Sequence, residues 1–469
     1  MPPRFQLLAL LIACSLMLAC QPEHLSPFPE QDAAALPDTI PVAQLHADVD
    51  TLFAGLARTH PELDARLSPA TADSLRRALI AQVTGPMTRR AFFRVIGAVT
   101  AELRDGHSGV LYPYPEFDRE AAAGARVFPL LVEPDGPHLV VRRDRGDTAR
   151  VPRGARLHRI ATMDADSLLA AFAQYARGET PALRAQIVAE DFARWLWHLS
   201  GAPQSWTVVW EHANRVDTAT IAGIPLASLE QADAGRSADR PTFRVIGRDA
   251  GYLDVPWFGG EDAFMETLER AVDTARARAL AGVVIDLRRN PGGSTDLVEA
   301  LLSRITTREC ALVSSVRERI TPRNRRWWRP TQRVGTVITM PDNEVVSPAA
   351  ADARFPGHAA ILIGPFTYSA AIVMATAAQD CGAATLVGTP TGGFANQTAQ
   401  IHFANLPHSR LRWFAPSRVL RRPRGAERGG PVLPDVPVTS DVVAGGDPAL
   451  DTAVVTVRRA TRREGGAGD

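Results

Sequence analysis

The 469-residue chain contains no lysine; all 52 of its basic residues are arginine, set against 51 acidic residues. That absence excludes a phosphate-binding loop of the Gly-Lys-Ser/Thr type, a lysine Schiff base and a Ser–Lys catalytic dyad. Excess charge is also missing: a formal net charge of +1 gives no electrostatic argument for nucleic acid as a partner. Cysteine is scarce, with four residues, and neither a Cys-x-x-Cys nor a His-Glu-x-x-His spacing occurs, so no metal site is indicated. No motif calls for a cofactor. Internal repeats, coiled-coil heptads and a second long apolar run are absent too. What remains, 45% hydrophobic and 22% charged residues, is ordinary globular composition, enough for two or three domains with buried cores.

The first 20 residues carry their own signal. Arg4 precedes an apolar run from Leu7 to Leu18, too short to span a bilayer comfortably and flanked like a signal peptide. Its end, Leu16-Met17-Leu18-Ala19-Cys20, resembles a bacterial lipoprotein signal, which implies that Cys20 carries the lipid and anchors the chain in the membrane. Leu11-Ile12-Ala13-Cys14 also fits but leaves a very short apolar region, and an ordinary secretory signal with an incidental cysteine is the alternative. Residues 21–40 read as a tether. Gln21 is not the aspartate of inner-membrane retention, so the resemblance implies a periplasm-facing lipoprotein of the cell envelope, in the outer membrane. Cys310 and Cys381 then remain; such a compartment permits a disulfide, while two buried thiols fit the sequence equally well.

The mature chain divides by pattern. Residues 41–125 read as a helical domain, with Val42, Leu45, Val49, Leu52, Phe53 and Leu56 at three- and four-residue steps. It carries the Gly-flanked turn Arg104-Asp105-Gly106-His107-Ser108-Gly109. Residues 126–227 read as β-rich, with short runs at Phe128–Val132, His138–Arg142 and Trp206–Trp210 and one helix over Asp166–Tyr175. Residues 228–241 read as a linker. From 242 to 462 strands and helices alternate, as in an α/β domain: strands at Gly251–Val255, Gly282–Leu287, Ala359–Gly364 and Ala384–Val387, helices at Asp262–Leu280 and Thr295–Ile305, and a third opening near Ser369. The Arg-rich stretch Arg317 to Arg333, with Trp327 and Trp328, reads as a mobile loop or lid.

Three features of this layout can carry chemistry. Ser369 follows a buried strand and opens an apolar helix, where free N–H groups and the helix dipole stabilise a developing alkoxide and the Ala370 N–H can face an oxyanion; a plain N-cap is the competing role. Asn290-Pro291-Gly292-Gly293 ends another buried strand, where sites collect in α/β sheets, and Gly293 or Gly292 could supply a second donor. Of the 11 histidines, only His107 sits in a Gly-flanked turn beside an acid. No Gly-x-Ser-x-Gly elbow surrounds Ser369, which disfavours an α/β-hydrolase.

The segments together resemble the tail-specific (C-terminal processing) protease family. Gly282-Val283-Val284-Ile285-Asp286-Leu287-Arg288-Arg289-Asn290-Pro291-Gly292-Gly293 is similar to its hallmark segment. Tyr368-Ser369-Ala370-Ala371, Gln379-Asp380 and Val387-Gly388-Thr389-Pro390-Thr391-Gly392-Gly393 follow in that family's order, and Gly430-Pro431-Val432-Leu433-Pro434-Asp435-Val436 resembles its C-terminal signature. Asp105-Gly106-His107-Ser108 resembles the histidine turn of the tricorn-like branch, and the region around Val151–Leu157 a degenerate PDZ-type insertion. The resemblance implies a ClpP/crotonase-like α/β core with an N-terminal helical domain and a PDZ-like insertion, acting on peptide or protein substrates. It implies Ser369 as nucleophile, His107 as base and Glu427 as acid, with Asp105 and Asp435 as competing orienters. In tricorn protease a second serine precedes the histidine; here Gly106 stands there and Ser108 follows, leaving open whether Ser108 bridges Glu427 to His107. The rival expectation is an inert binder of peptides or lipophiles, since the same fold occurs in interphotoreceptor retinoid-binding protein repeats.

Overall fold

The structure is a computed structural model that describes residues 36–146, 150–228, 240–326, 332–342, 344–424, 429–439 and 446–465. Cys20, Trp327, Trp328 and Glu427, and most of the expected linker, lie outside these. Three helices of two or more turns come first, α1 (Val42–Thr59), α2 (Pro69–Gln82) and α3 (Arg89–Ile96), with single helical turns at Leu63–Arg66 and Val99–Glu102. Ser68 and Thr88 cap α2 and α3 by accepting from the N–H groups of Thr71 and Ala91, with Pro69 at the first helical position. The histidine turn follows and leads into a two-residue strand, β1 (Gly109–Val110).

The next unit is an antiparallel sheet in the order β2 (Leu130–Asp135), β3 (His138–Asp144), β4 (Arg156–Ile160), β5 (Ser205–His212), β6 (Arg215–Ala222). Between β4 and β5 run α4 (Ala165–Ala173), α5 (Pro181–Glu190) and α6 (Phe192–Ser200). Only the first of these helices was expected. The α6 sequence is rich in aromatic residues, whose intrinsic preference is for strands; burial of Phe192, Trp195 and Leu196 in a tertiary core overrides it. That core is shared: Leu45, Leu52, Phe92 and Phe93 of the leading helices pack in one cluster with Phe172, Trp195 and Trp206 of the inserted unit. The inserted unit is therefore fixed against the leading helices by apolar burial.

The α/β core begins with β7 (Thr242–Ile246), which is antiparallel to β8 (Ala250–Asp254). Helix α7 (Glu261–Ala277), strand β9 (Gly282–Asp286) and helix α8 (Thr295–Ile305) follow. Next comes a hairpin, β10 (Ser315–Arg319) and β11 (Val337–Pro341). Strand β12 (His358–Ile363), helix α9 (Ala370–Cys381) and strand β13 (Ala384–Gly388) lead to the long pair β14 (Gln397–Asn405) and β15 (Arg412–Arg421). Strand β16 (Val436–Pro437) and helix α10 (Pro448–Gly465) end the fold.

The central sheet has the order β7-β8-β9-β12-β13-β16, parallel from β8 onward. Its strands read as unbroken apolar runs because both faces are covered. Val283, Ile285, Ile361 and Ile363 pack among residues of α7, α8 and α9, while Val284, Ala360 and Leu362 pack against Ala453 and Val457 of α10. A second, antiparallel sheet joins β1, β15, β10 and β11, with β14 also on β15. This corrects the expected Arg-rich loop: Arg317 to Arg319 lie in a strand. Their polar alternation hides a ladder to β15, reinforced by Arg418 donating to buried Glu318 at 2.9 Å. Cys310 and Cys381 form a disulfide that pins the end of α9. Closing a loop of 71 residues constrains the unfolded chain and contributes about 2–4 kcal/mol. The site lies where the C-terminal ends of β9 and β12 meet the histidine turn and β14.

Candidate active site

Ser369 has φ 54° and ψ −122°, a conformation that a non-glycine residue holds only under constraint, at a cost of about 1–3 kcal/mol. Its neighbours supply the constraint. Tyr368 N–H donates to Asn290 O at 2.9 Å, Gln397 Nε2 donates to Ser369 O at 2.9 Å, and Thr367 Oγ1 donates to Leu287 O at 2.8 Å. The Ser369 side chain does not cap the helix that it opens. Instead its Oγ lies 3.1 Å from His107 Nε2, so the competing N-cap role is not the one adopted.

The glycine turn lies against the serine. Asn290 locks it, accepting from Gly292 N–H at 2.8 Å and donating to Val255 O at 3.0 Å. Gly292 and Gly293 have φ of 116° and 130°, and a Cβ on Gly292 would stand 2.5 Å from Ser369 Cβ and 3.1 Å from Ala370 N. Of the three expected oxyanion donors, Gly292 is corrected: its N–H is committed to Asn290, and its contribution is room. The N–H groups of Ala370 and Gly293 have no partner among the described residues.

His107 is buried, and its proton is placed by its partners. The backbone N–H of His107 donates to Asp105 Oδ1 at 3.1 Å. Thr398, on β14, donates its only hydroxyl hydrogen to Asp105 Oδ1 at 2.5 Å, while its Oγ1 lies 3.1 Å from His107 Nδ1. Tyr368 donates its only hydroxyl hydrogen to Glu179 Oε1 at 3.1 Å, and its oxygen lies 3.0 Å from the same Nδ1. Both hydroxyl oxygens therefore accept from Nδ1–H, and the Nε2 lone pair is left facing Ser369. Burial, opposed by the Asp105 charge and assisted by Arg177, lowers the His107 pKa to about 4, so the imidazole is neutral at neutral pH and its Nε2 lone pair is free.

Asp105 is the hub. It is fully buried and also receives His60 Nε2–H at 3.1 Å and Ser108 Oγ–H at 2.5 Å. His60 Nδ1 accepts from Glu62 N–H at 3.0 Å, which leaves Nε2 as the donor. Burial alone would raise the Asp105 pKa, but the His60 hydrogen bond and the electrostatic attraction of His60, His107 and Arg66 hold it far below the ordinary carboxylate range. Ser108 Oγ thus buttresses Asp105 and makes no hydrogen bond to the His107 ring among the described residues; Glu427, the other end of the bridge left open above, lies outside them. A Cβ at position 106 would stand 2.1 Å from the Tyr368 hydroxyl oxygen; that phenol fills the place where the resemblance would put a second serine. Sequence reasoning missed His60, Thr398 and Glu179, none of which belongs to a local motif. Among the described residues no group of three or more His, Cys, Asp or Glu side chains is placed to hold a metal ion.

A strained serine predicts its own relief. Glycine tolerates the Ser369 conformation and alanine does not, so Ser369→Gly should be more stable than Ser369→Ala by about 1 kcal/mol, measured by urea unfolding. The reverse order would show that the backbone is unstrained.

Among solved structures, mature CPAF superposes with a TM-score of 0.68 at 15% identity, covering 90% of this chain and 98% of that one. Its complex with lactacystin gives 0.65 at 14%, covering 90% and 98%. The photosystem II D1 C-terminal processing protease gives 0.47 at 16%, covering 88% and 97%. At such identities the first two establish a shared fold. No curated relative matches the sequence. Residues 249–436, which carry the glycine turn, Ser369 and Thr398, match the model of peptidase family S41, so the part of the chain that holds the glycine turn and Ser369 is similar to a family of peptidases.

Proposed function

We propose that the chain hydrolyses peptide bonds by a Ser–His mechanism and does so from an anchored position in the cell envelope. The observation that carries the first part is the strained Ser369 whose Oγ lies 3.1 Å from the unprotonated nitrogen of a buried histidine. Ser369 Oγ attacks the scissile carbonyl carbon while His107 Nε2 takes its proton. The oxygen, now negative, meets the N–H groups of Ala370 and Gly293. The tetrahedral adduct collapses, the C–N bond breaks and His107 returns the proton to the leaving amine. Water, deprotonated by the same nitrogen, then attacks the acyl-enzyme and frees Ser369. Asp105 acts through Thr398, holding Nδ1 protonated and stabilising the transient imidazolium. Glu427, which the resemblance names as the acid, lies outside the described residues.

The envelope position is supported by the Cys20 signal and by the Cys310–Cys381 disulfide, which persists in oxidising compartments. Lipidation of Cys20 would tether the folded part through residues 21–40, in the outer membrane. Cys20→Ser should move the protein from the membrane to the soluble fraction of lysed cells; unchanged membrane association would refute the anchor.

Fluorophosphonate labelling, read by intact mass, tests the chemistry. Wild type should take one adduct, and Ser369→Ala and His107→Ala should take none, a loss of at least about a hundredfold in rate. A folded wild type that remains unlabelled would favour the inert binder, and labelling that survives Ser369→Ala would place the nucleophile elsewhere.

A further inference from the structure

The inserted unit sends one carboxyl group into the active site. Glu179 lies between α4 and α5 and is buried. Its Oε1 accepts from Tyr368, whose oxygen in turn accepts from His107 Nδ1–H. Its other oxygen, Oε2, has no hydrogen-bond partner among the described residues. The segment around it is fastened to the catalytic centre: Gly178 N–H donates to Asp105 O at 3.3 Å, Arg177 donates to Gly106 O at 2.5 Å, and Thr180 Oγ1 donates to Gly392 O at 2.7 Å. Arg177 also lies over the Tyr368 ring, 5.6 Å from its centroid.

Resting on the Ser369–His107 reading, we propose that Glu179 is a positioning residue for His107, acting through the Tyr368 hydroxyl as a second arm parallel to Asp105–Thr398. The two arms differ in charge. Asp105 is saturated with donors and stays ionised. Glu179 has one donor and an unpartnered oxygen, so it is the arm whose charge changes near neutrality. Burial and the Asp105 charge raise its pKa to about 7, against the lowering effects of its own backbone, Arg66 and Tyr368. The titratable and charged groups around it are Arg66, Asp105, His107, Arg177, Arg184 and Tyr368.

The sign follows from the proton positions. Above its pKa, Glu179 is an acceptor; it takes the Tyr368 hydrogen and leaves the phenol oxygen to accept from Nδ1–H, and its charge favours the imidazolium that forms in the reaction. Below its pKa, Glu179 is neutral, that charge is gone, and its own O–H competes for the phenol oxygen. Ionisation of Glu179 therefore raises the basicity of His107.

The test is the rate of fluorophosphonate labelling from pH 5 to 9. Wild type should show a rise of roughly tenfold centred near pH 7, the size of one charge-assisted hydrogen bond. Glu179→Gln should be slower by that factor at pH 8.5, equal to wild type at pH 5.5, and lack the rise. Tyr368→Phe removes the link from the other side, so it should also lack the rise, and the double variant should label no more slowly than Tyr368→Phe alone. Thermal unfolding of each variant confirms a folded protein. A wild type that labels, with a Glu179→Gln profile superimposed on it or merely scaled by a constant factor, would overturn the proposal. A folded wild type that does not label at any pH would overturn the Ser369–His107 reading on which it rests.

Discussion

A carboxylate with almost no access to water organises this active site. Asp105 accepts from a histidine, a backbone amide and two hydroxyls, and this is the condition under which a buried charge is tolerated. The donors come from three different parts of the chain. His60 follows α1, Ser108 and the His107 amide belong to the turn itself, and Thr398 lies on β14. Removing one partner would leave part of a buried charge uncompensated, which costs several kcal/mol. The leading helices, the histidine turn and the second sheet are held in register by this one group. His107 is then aimed at a serine that belongs to the central sheet.

The serine needs an equally rigid seat. The ends of β9 and β12 are tied by Asn290, Thr367 and the two glycines, and that rigidity sustains a backbone conformation that Ser369 alone would abandon. The site is thus assembled from the seam between two sheets, with α5 and Glu179 closing it from the inserted unit. The proposed nucleophile, its proposed base and the groups that orient that base come from four separate stretches of chain, and the apolar cores beneath them fix the spacing.

The parts that were legible in the sequence are those with local signatures. The buried strands at residues 282–286 and 358–363 announce themselves as apolar runs between turn signals, and the helix at Thr295–Ile305 has its cap at Ser294 and a regular apolar face. Ser369 and His107 stand in motifs with fixed neighbours. What was illegible is non-local. Thr398 is 293 residues from Asp105 and Glu179 is 189 from Tyr368, and no periodicity or spacing connects them. The β10 strand reads as a loop because its charges obscure the alternation, and α6 goes unassigned in a region read as β-rich because its aromatic residues give no clear helical signal. Gly106 was visible as a departure, but only the Tyr368 hydroxyl beside it gives the reason.

The central claim is a proton position: in the resting protein His107 carries its proton on Nδ1, held by Thr398 and Tyr368, and presents a bare Nε2 to Ser369. Nitrogen-15 NMR of histidine-labelled protein, with His107 assigned by comparison with His107→Ala, measures this directly. At pH 6 the two ring nitrogens of His107 should show the distinct shifts of the neutral Nδ1–H form, and protonation should set in only towards pH 4. A doubly protonated His107 at pH 6, or a neutral ring with its proton on Nε2, would contradict the account.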